Sequence, residues 1–220
     1  MDLAFLAKYY KFFINGTGIT LFLSFFGVIF GVIFGVFLAL MKLSKKSFLR
    51  MPATAYIEVV RGTPLLVQLF IVYYGLPLLT GIELPDLALG IIAVSFNSAA
   101  YVAEIIRAGI QSIDKGQMEA ARCLGMTHTM AMRYIIIPQA FKNILPALGN
   151  EFIVLVKESA IVSVVGIQDL MYKADTVRGI SYRPFTPLII AAIIYFIITF
   201  TLSKLVSRLE RRLSAGDSRI

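Results

Sequence analysis

The 220-residue sequence has a single cysteine and a single histidine. Cys123 alone excludes an internal disulfide and leaves no cysteine-rich metal site. His128 has no helical histidine partner with which to hold zinc. The two lie five residues apart in a charged segment, with no span around them, which argues against a membrane enzyme built on a nucleophile and a base. No G-x-x-x-x-G-K-[ST] run occurs, so the chain encodes no phosphate loop of that kind. No inverted repeat is apparent either, which weighs against an ion-coupled carrier built from two mirrored halves.

What is abundant is apolar. Hydrophobic residues make up 58% of the chain and the mean hydropathy is +0.82, against roughly 45–50% apolar residues in soluble domains. The sequence predicts an all-α membrane protein with five transmembrane helices, at about 12–41, 53–79, 85–106, 144–167 and 184–206. All belong to one transmembrane domain, with a charged segment at 107–142 between the third and fourth spans. The first run follows Asp2, Lys8 and Lys11 and is much longer than a signal-peptide core, so it is read as a true span. The fourth contains Glu151, Lys157 and Glu158 and rests on its apolar remainder.

A net charge of +8 would suit nucleic acid in a soluble protein, but here the location of the cations matters more than their sum. Lys42, Lys45, Lys46 and Arg50 follow span one; Arg107, Lys115, Arg122, Arg133 and Lys142 separate spans three and four; Lys204, Arg208, Arg211, Arg212 and Arg219 close the chain. The stretch from Tyr74 to Asp86 has neither Lys nor Arg. The positive-inside rule therefore predicts an N-terminus outside and a C-terminus in the cytoplasm, and no nucleic-acid partner. An odd number of spans agrees with this, since it puts the two termini on opposite sides.

Gly27, Gly31 and Gly35 recur at four-residue spacing, a strip that lets a neighbouring helix approach closely. Pro52, Pro146 and Pro187 stand near the starts of spans, where a missing donor is harmless. Pro64 lies inside the second span and is expected to kink or break it, either beside a solute path or for packing alone. Between residues 107 and 142 the text GQMEAARCLGM and TMAMRYIII predicts two short helices, separated by Gly125 and closed by Pro138. Met118, Ala121, Leu124 and Met126 give this segment a partly apolar surface, suited to docking or to packing under the membrane helices.

In that segment EAARCLGMTHTMAMRYIIIP resembles the cytoplasmic-loop signature of ABC-importer permeases: Glu-Ala-Ala, three residues, Gly, nine residues, then Ile-x-Leu-Pro. Glu119, Ala120, Ala121, Gly125, Ile135 and Pro138 fit it, and Ile137 replaces the usual leucine. The flanking EVVRGTPLLVQLFIVYYGLP, SAAYVAEIIRAGIQSIDKGQ and LPALGNEFIVLVKESAIVSVV resemble the polar-amino-acid branch, so the likeness covers nearly the whole chain. The resemblance implies a permease subunit in a bacterial inner membrane, paired with a second permease copy or a homologous permease. It implies two cytoplasmic ATP-binding subunits that hold ATP and Mg, and an extracellular solute-binding protein. This chain then has no cofactor of its own. It also implies an ATPase-docking element at Glu119, Ala120, Ala121, Arg122 and Gly125. Glu119 and Arg122, three apart, either pair with each other or contact the ATPase.

Candidate solute ligands are the polar residues within the spans: Gln68, Asn97, Ser98, Glu151 and Glu158. Glu151 and Glu158 are seven residues apart and share one helical face, roughly 10 Å apart along the axis. Intramembrane carboxylates require a cavity, a partner or a proton. Two readings remain: they favour a basic amino acid, or they pair with Arg61, Arg107 or Lys157. The rival function is an ion-gradient-coupled secondary amino-acid transporter using Glu58, Glu104, Glu151 and Glu158.

The charge distribution generates a direct test of orientation. With Cys123 replaced by serine, Gly81→Cys should react with an impermeant thiol reagent added to intact cells, and Ser44→Cys should react only after the membrane is opened. The opposite pattern would invert the topology and put residues 107–142 outside.

Overall fold

The structure, a computed structural model, describes residues 3–214; Asp2 and Arg219, used above in the charge argument, lie outside them. All regular structure among the described residues is helical. Helix α1 spans Leu3–Leu43, α2 Ser47–Gly62, α3 Leu65–Phe70, α4 Leu76–Thr80, α5 Asp86–Gln111, α6 Lys115–Cys123, α7 His128–Ala131, α8 Ile137–Glu158, α9 Leu170–Ser181 and α10 Thr186–Ser214.

Three of these, over Ala4–Leu43, Asp86–Gln111 and Thr186–Leu213, are long and apolar enough to cross a bilayer. A fourth crossing exists if α2 and the following Leu65–Thr80 run count as one span, yet these meet at a bend of 111°. The segment expected as a straight second span over 53–79 is therefore bent between Gly62 and Leu65. Thr63 and Pro64 at the break are both extended, at ψ 147° and 139°, because proline disfavours helical backbone in the residue before it and has no N–H of its own. In the segment expected to form the fourth span, α8 starts earlier, at Ile137, and the tail from Ser159 to Val165 tightens into a 3-10 helix.

Two prolines lie within helical runs, one of them Pro138, expected to close a helix. Pro77 and Pro138 each follow a five-residue π turn, Ile71–Gly75 and Met132–Ile136 respectively. A proline ring collides with the carbonyl four residues back, and a π turn opens the helix at that level. The helix expected to stop before Pro138 thus continues unbroken from His128 to Glu158.

Helix α1 packs along α5 through the glycine strip. A Cβ at Gly27 would stand 2.9 Å from Val94, one at Gly31 2.7 Å from Ser98 Oγ, and one at Gly35 2.6 Å from Val102. The residue numbers rise together, so α1 and α5 run parallel. Ser98 meets Glu151 while Gly27 lies near both Val94 and Leu155, so α8 runs antiparallel to them. Lipid tails are as apolar as leucine, and close backbone approach replaces the hydrophobic effect as the source of attraction. Leu23, Leu69, Val94, Leu155 and Val162 fill the middle of the bundle. Phe5, Tyr9 and Phe13 anchor the start of α1 against Leu170, Val177 and Ile190 of α9 and α10.

Gly35→Val should lower the thermal midpoint of the purified protein, by an equivalent of about 1–3 kcal/mol for overpacking, since the new side chain meets Val102 and the Ala99 carbonyl. Gly18→Ala, where a Cβ meets nothing within 4 Å, is the control. Equal midpoints in the two variants would remove the seam's role.

Candidate polar site within the helical bundle

The break in the second span leaves backbone carbonyls without helical partners, and Gln68 takes them. Its Nε2 donates to the Val60 carbonyl at 2.7 Å, to the Thr63 carbonyl at 3.1 Å and to Thr63 Oγ1 at 2.9 Å. Its Oε1 accepts from Asn97 Nδ2 on α5 at 2.9 Å. Gln68 and Asn97 are both buried, so this side-chain bridge replaces the backbone bonds that proline removed. The Leu65–Thr80 run then follows α5 in the opposite direction, reaching Asp86 where Tyr73 donates to Oδ1 at 2.7 Å.

Ser98 is the next residue along α5 and turns about 100° away from Asn97. Its hydroxyl donates to Glu151 Oε1 at 3.2 Å, with both residues buried. Gly31 presses on the same serine from α1. Four of the five residues singled out from the sequence therefore form two hydrogen-bonded pairs on adjoining faces of α5. Glu158 is apart from them, exposed at the end of α8 beside the 3-10 turn.

Arg61 and Arg107, two cations that could have paired with Glu151, are both at Glu104. Lys42 Nζ lies 3.1 Å from Glu104 Oε2 and Arg61 Nη1 lies 3.9 Å from Oε1. Arg107 Nε donates to both carboxylate oxygens at 3.0 Å, and its Nη2 reaches Oε1 as well. The cluster ties the ends of α1 and α2 to α5. Glu151 has no ion-pair partner among the described residues.

In the charged segment, Asp114 caps α6 by accepting from the Gly116 N–H at 2.7 Å. The helix ends at Gly125, whose φ of +84° is left-handed. Gly125 N–H donates to the Arg122 carbonyl at 3.0 Å and Met126 N–H to the Ala121 carbonyl at 3.1 Å, the paired closure that favours glycine. Arg122 donates to the Met126 carbonyl at 3.0 Å instead of pairing with Glu119. Ala121 is buried, whereas Glu119, Ala120, Arg122 and Gly125 are exposed and Leu124 is 83% exposed.

Sequence reasoning missed a second buried polar cluster. Asp169 caps α9 by accepting from the Tyr172 N–H at 2.8 Å, and its other oxygen accepts from the Tyr195 hydroxyl at 3.3 Å. Thr20 on α1 accepts from the Leu170 N–H at 3.1 Å. Burial pushes the Asp169 carboxyl up to about 6, with the Tyr172 and Met171 N–H groups and the Tyr195 hydroxyl acting in the other direction. The signal was an aspartate three residues before a helical tyrosine, a helix-start pattern. The described residues hold no group of three or more His, Cys, Asp and Glu that would suit a metal.

The fold and the sequence have counterparts among known proteins. The family described as "Binding-protein-dependent transport system inner membrane component" matches residues 31–215. The putative glutamine transport system permease protein GlnP of Rickettsia bellii (strain RML369-C) is 48% identical over 202 residues, 92% of this chain and 93% of that protein. The arginine transport system permease protein ArtQ of Bacillus subtilis (strain 168) is 44% identical over 206 residues, 94% of each. Among solved structures, a chain of an amino acid ABC transporter crystallised with histidines superposes with a TM-score of 0.92 at 57% identity, covering 96% of this chain and 99% of that one. With a family match across most of its length and full-length relatives well above 30% identity, this chain belongs to the binding-protein-dependent inner membrane components, the permeases of ABC importers.

Proposed function

We propose that this chain forms the translocation path for a polar, basic amino acid in an ATP-driven importer. The observation that carries the reading is Glu151: a buried carboxylate whose hydrogen-bond partner is the Ser98 hydroxyl and which no protein cation neutralises among the described residues. An ionisable group costs roughly 2.5–3.5 kcal/mol near the bilayer centre, and a cationic solute reduces that cost while it is bound. Glu158, seven residues on, extends the same face of α8 toward the helix end. Asn97 and Gln68 brace the adjoining wall through the bend, and Ser98 offers a neutral hydroxyl to the solute. The relatives named for arginine and glutamine transport, and the solved transporter with histidines, fit a polar amino acid.

In this reading the bilayer is crossed five times, by α1, the broken α2–α4 unit, α5, α8 with its 3-10 tail, and α10, with the N-terminus outside. Two cytoplasmic ATP-binding subunits bind ATP and Mg and carry out hydrolysis, an extracellular solute-binding protein delivers the amino acid, and a second permease completes the path. Helix α6 seats in the ATPase through its exposed face at Glu119, Ala120, Arg122 and Leu124. Closure of the ATPases then moves α6 and, through the helical run from His128 to Glu158, the wall that carries Glu151. The ion-coupled alternative is not favoured, because Glu104 is already held by three cations and the family is that of ABC-importer permeases.

ATP-driven uptake of basic, neutral and acidic amino acids, compared in wild type, Glu151→Gln and Glu158→Gln, tests the site. Basic uptake should fall about tenfold or more in Glu151→Gln, as expected for losing one charge-assisted contact of about 1.5–3 kcal/mol, with basal ATP hydrolysis kept. Preferred acidic uptake, or unchanged selectivity in both variants, would sink the proposal. Cys123 is exposed on α6, so a bulky maleimide should modify it several-fold more slowly in the assembled transporter than in the permease alone. Equal rates, together with undisturbed transport after modification, would move the docking surface elsewhere.

A further inference from the structure

Along the side of α5 that carries Ser95 and Ala99 lies an apolar groove of about 640 Å³ between α1, α2 and α5. Phe30, Phe34 and Phe37 form one wall, with Tyr56 and Phe96 opposite. Its volume is within the range of ligand sites, about 300–1,000 Å³, but its chemistry does not suit a polar solute. The Tyr56 hydroxyl is turned to the Phe96 carbonyl at 2.7 Å, and the Ser95 hydroxyl to the Ile91 carbonyl at 2.6 Å. Neither hydroxyl proton is left for a solute, nor do the two hydroxyls form the polar rim that a protein partner's edge meets.

At one end of this groove stand three cations. Lys45, Lys46 and Arg50 are exposed and have no carboxylate partner among the described residues. Both walls lead to them: Phe37 precedes Lys45 by eight residues on the α1 side, and Tyr56 follows Arg50 by six residues on α2, a rise of about 9 Å. Phe48 and Met51, exposed beside the cations, give this end of α2 the apolar-and-basic composition of a helix lying at a membrane surface. The polar contents of the groove, its open aromatic wall and a basic mouth describe a ligand that is a hydrocarbon chain at one end and an anion at the other.

We propose that the groove between α1, α2 and α5 holds an acyl chain of an anionic phospholipid whose headgroup phosphate is bound by Lys45, Lys46 and Arg50. The site is separate from Glu151, and it requires only that this chain lie in a bilayer. A bound lipid fills the space between α1 and the tilted α2, so it stiffens the corner next to the Lys42–Glu104–Arg61 cluster.

The chain contains no tryptophan, so the fluorescence difference between a Phe34→Trp sample and its parent reports on the groove alone, even within the assembled transporter. The complex is reconstituted in phosphatidylcholine vesicles containing a minor fraction of either phosphatidylglycerol or phosphatidylcholine with brominated acyl chains. Quenching at position 34 should show an enrichment of brominated phosphatidylglycerol of about fivefold, the attraction of one effective lysine or arginine near a membrane surface. Phe196→Trp, on the exposed face of α10, should show no such preference. Replacing Lys45, Lys46 and Arg50 by glutamine should abolish the preference at position 34. Equal quenching by the two lipids at position 34 would reduce the groove to ordinary lipid contact. No quenching by either would mean that protein, such as a second permease copy, covers it. Either result overturns the proposal, and neither depends on the triple variant folding.

Discussion

A broken helix leaves carbonyl groups without intrahelical partners, and the arrangement of the bundle centres on how this chain meets that demand. Pro64 makes the break, and Gln68 closes it by donating to Val60 and Thr63. That amide is oriented by Asn97, so the bend is held to α5. Helix α5 is in turn fixed against α1 by the glycine seam, and the residue after Asn97 presents its hydroxyl to Glu151. Backbone satisfaction, helix packing and placement of the buried carboxylate are thus consecutive links of one chain of contacts. Losing the amide at position 68 leaves the Val60 carbonyl and the Asn97 amide unpaired in the interior, at about 1–3 kcal/mol each.

Charge is handled in two opposite ways within the same bundle. Glu104 is surrounded by Lys42, Arg61 and Arg107 from three helices, so it acts as a knot at the ends of α1 and α2. Glu151 lies deeper and is left to a serine hydroxyl. The contrast separates a carboxylate that holds helices together from one available to something that comes and goes. It also explains why counting intramembrane acids cannot by itself distinguish a coupling site from a structural one.

Much of this was legible in the sequence, for physical reasons that differ from one feature to the next. The apolar runs report burial, and three of the five appear as helices long and apolar enough to span, with a fourth as a bent pair; the Gly27, Gly31 and Gly35 repeat reports close approach, which the packing of α1 on α5 shows. The helix end at Gly125 was equally readable, because a left-handed residue favours glycine at one defined position. Pro64 announced a disturbance but not a turn of 111°, since the angle depends on which neighbours satisfy the freed carbonyls. Pro138 misled, because a π turn allows helix to continue through proline and leaves no compositional mark. The pairing of Ser98 with Glu151 spans 53 residues of sequence, a register fixed only when α5 and α8 pack.

The unbroken run from His128 to Glu158 is also a lever. From Ala131 to Glu151 it extends about 30 Å, with a π turn but no loop in between. A tilt of about ten degrees about one end displaces the other by about 5 Å, more than the reach of the Ser98 to Glu151 hydrogen bond. A rigid rod of that length turns a small rotation at one end into a large translation at the other, and here the two ends are the stretch before Pro138 and the buried carboxylate of Glu151.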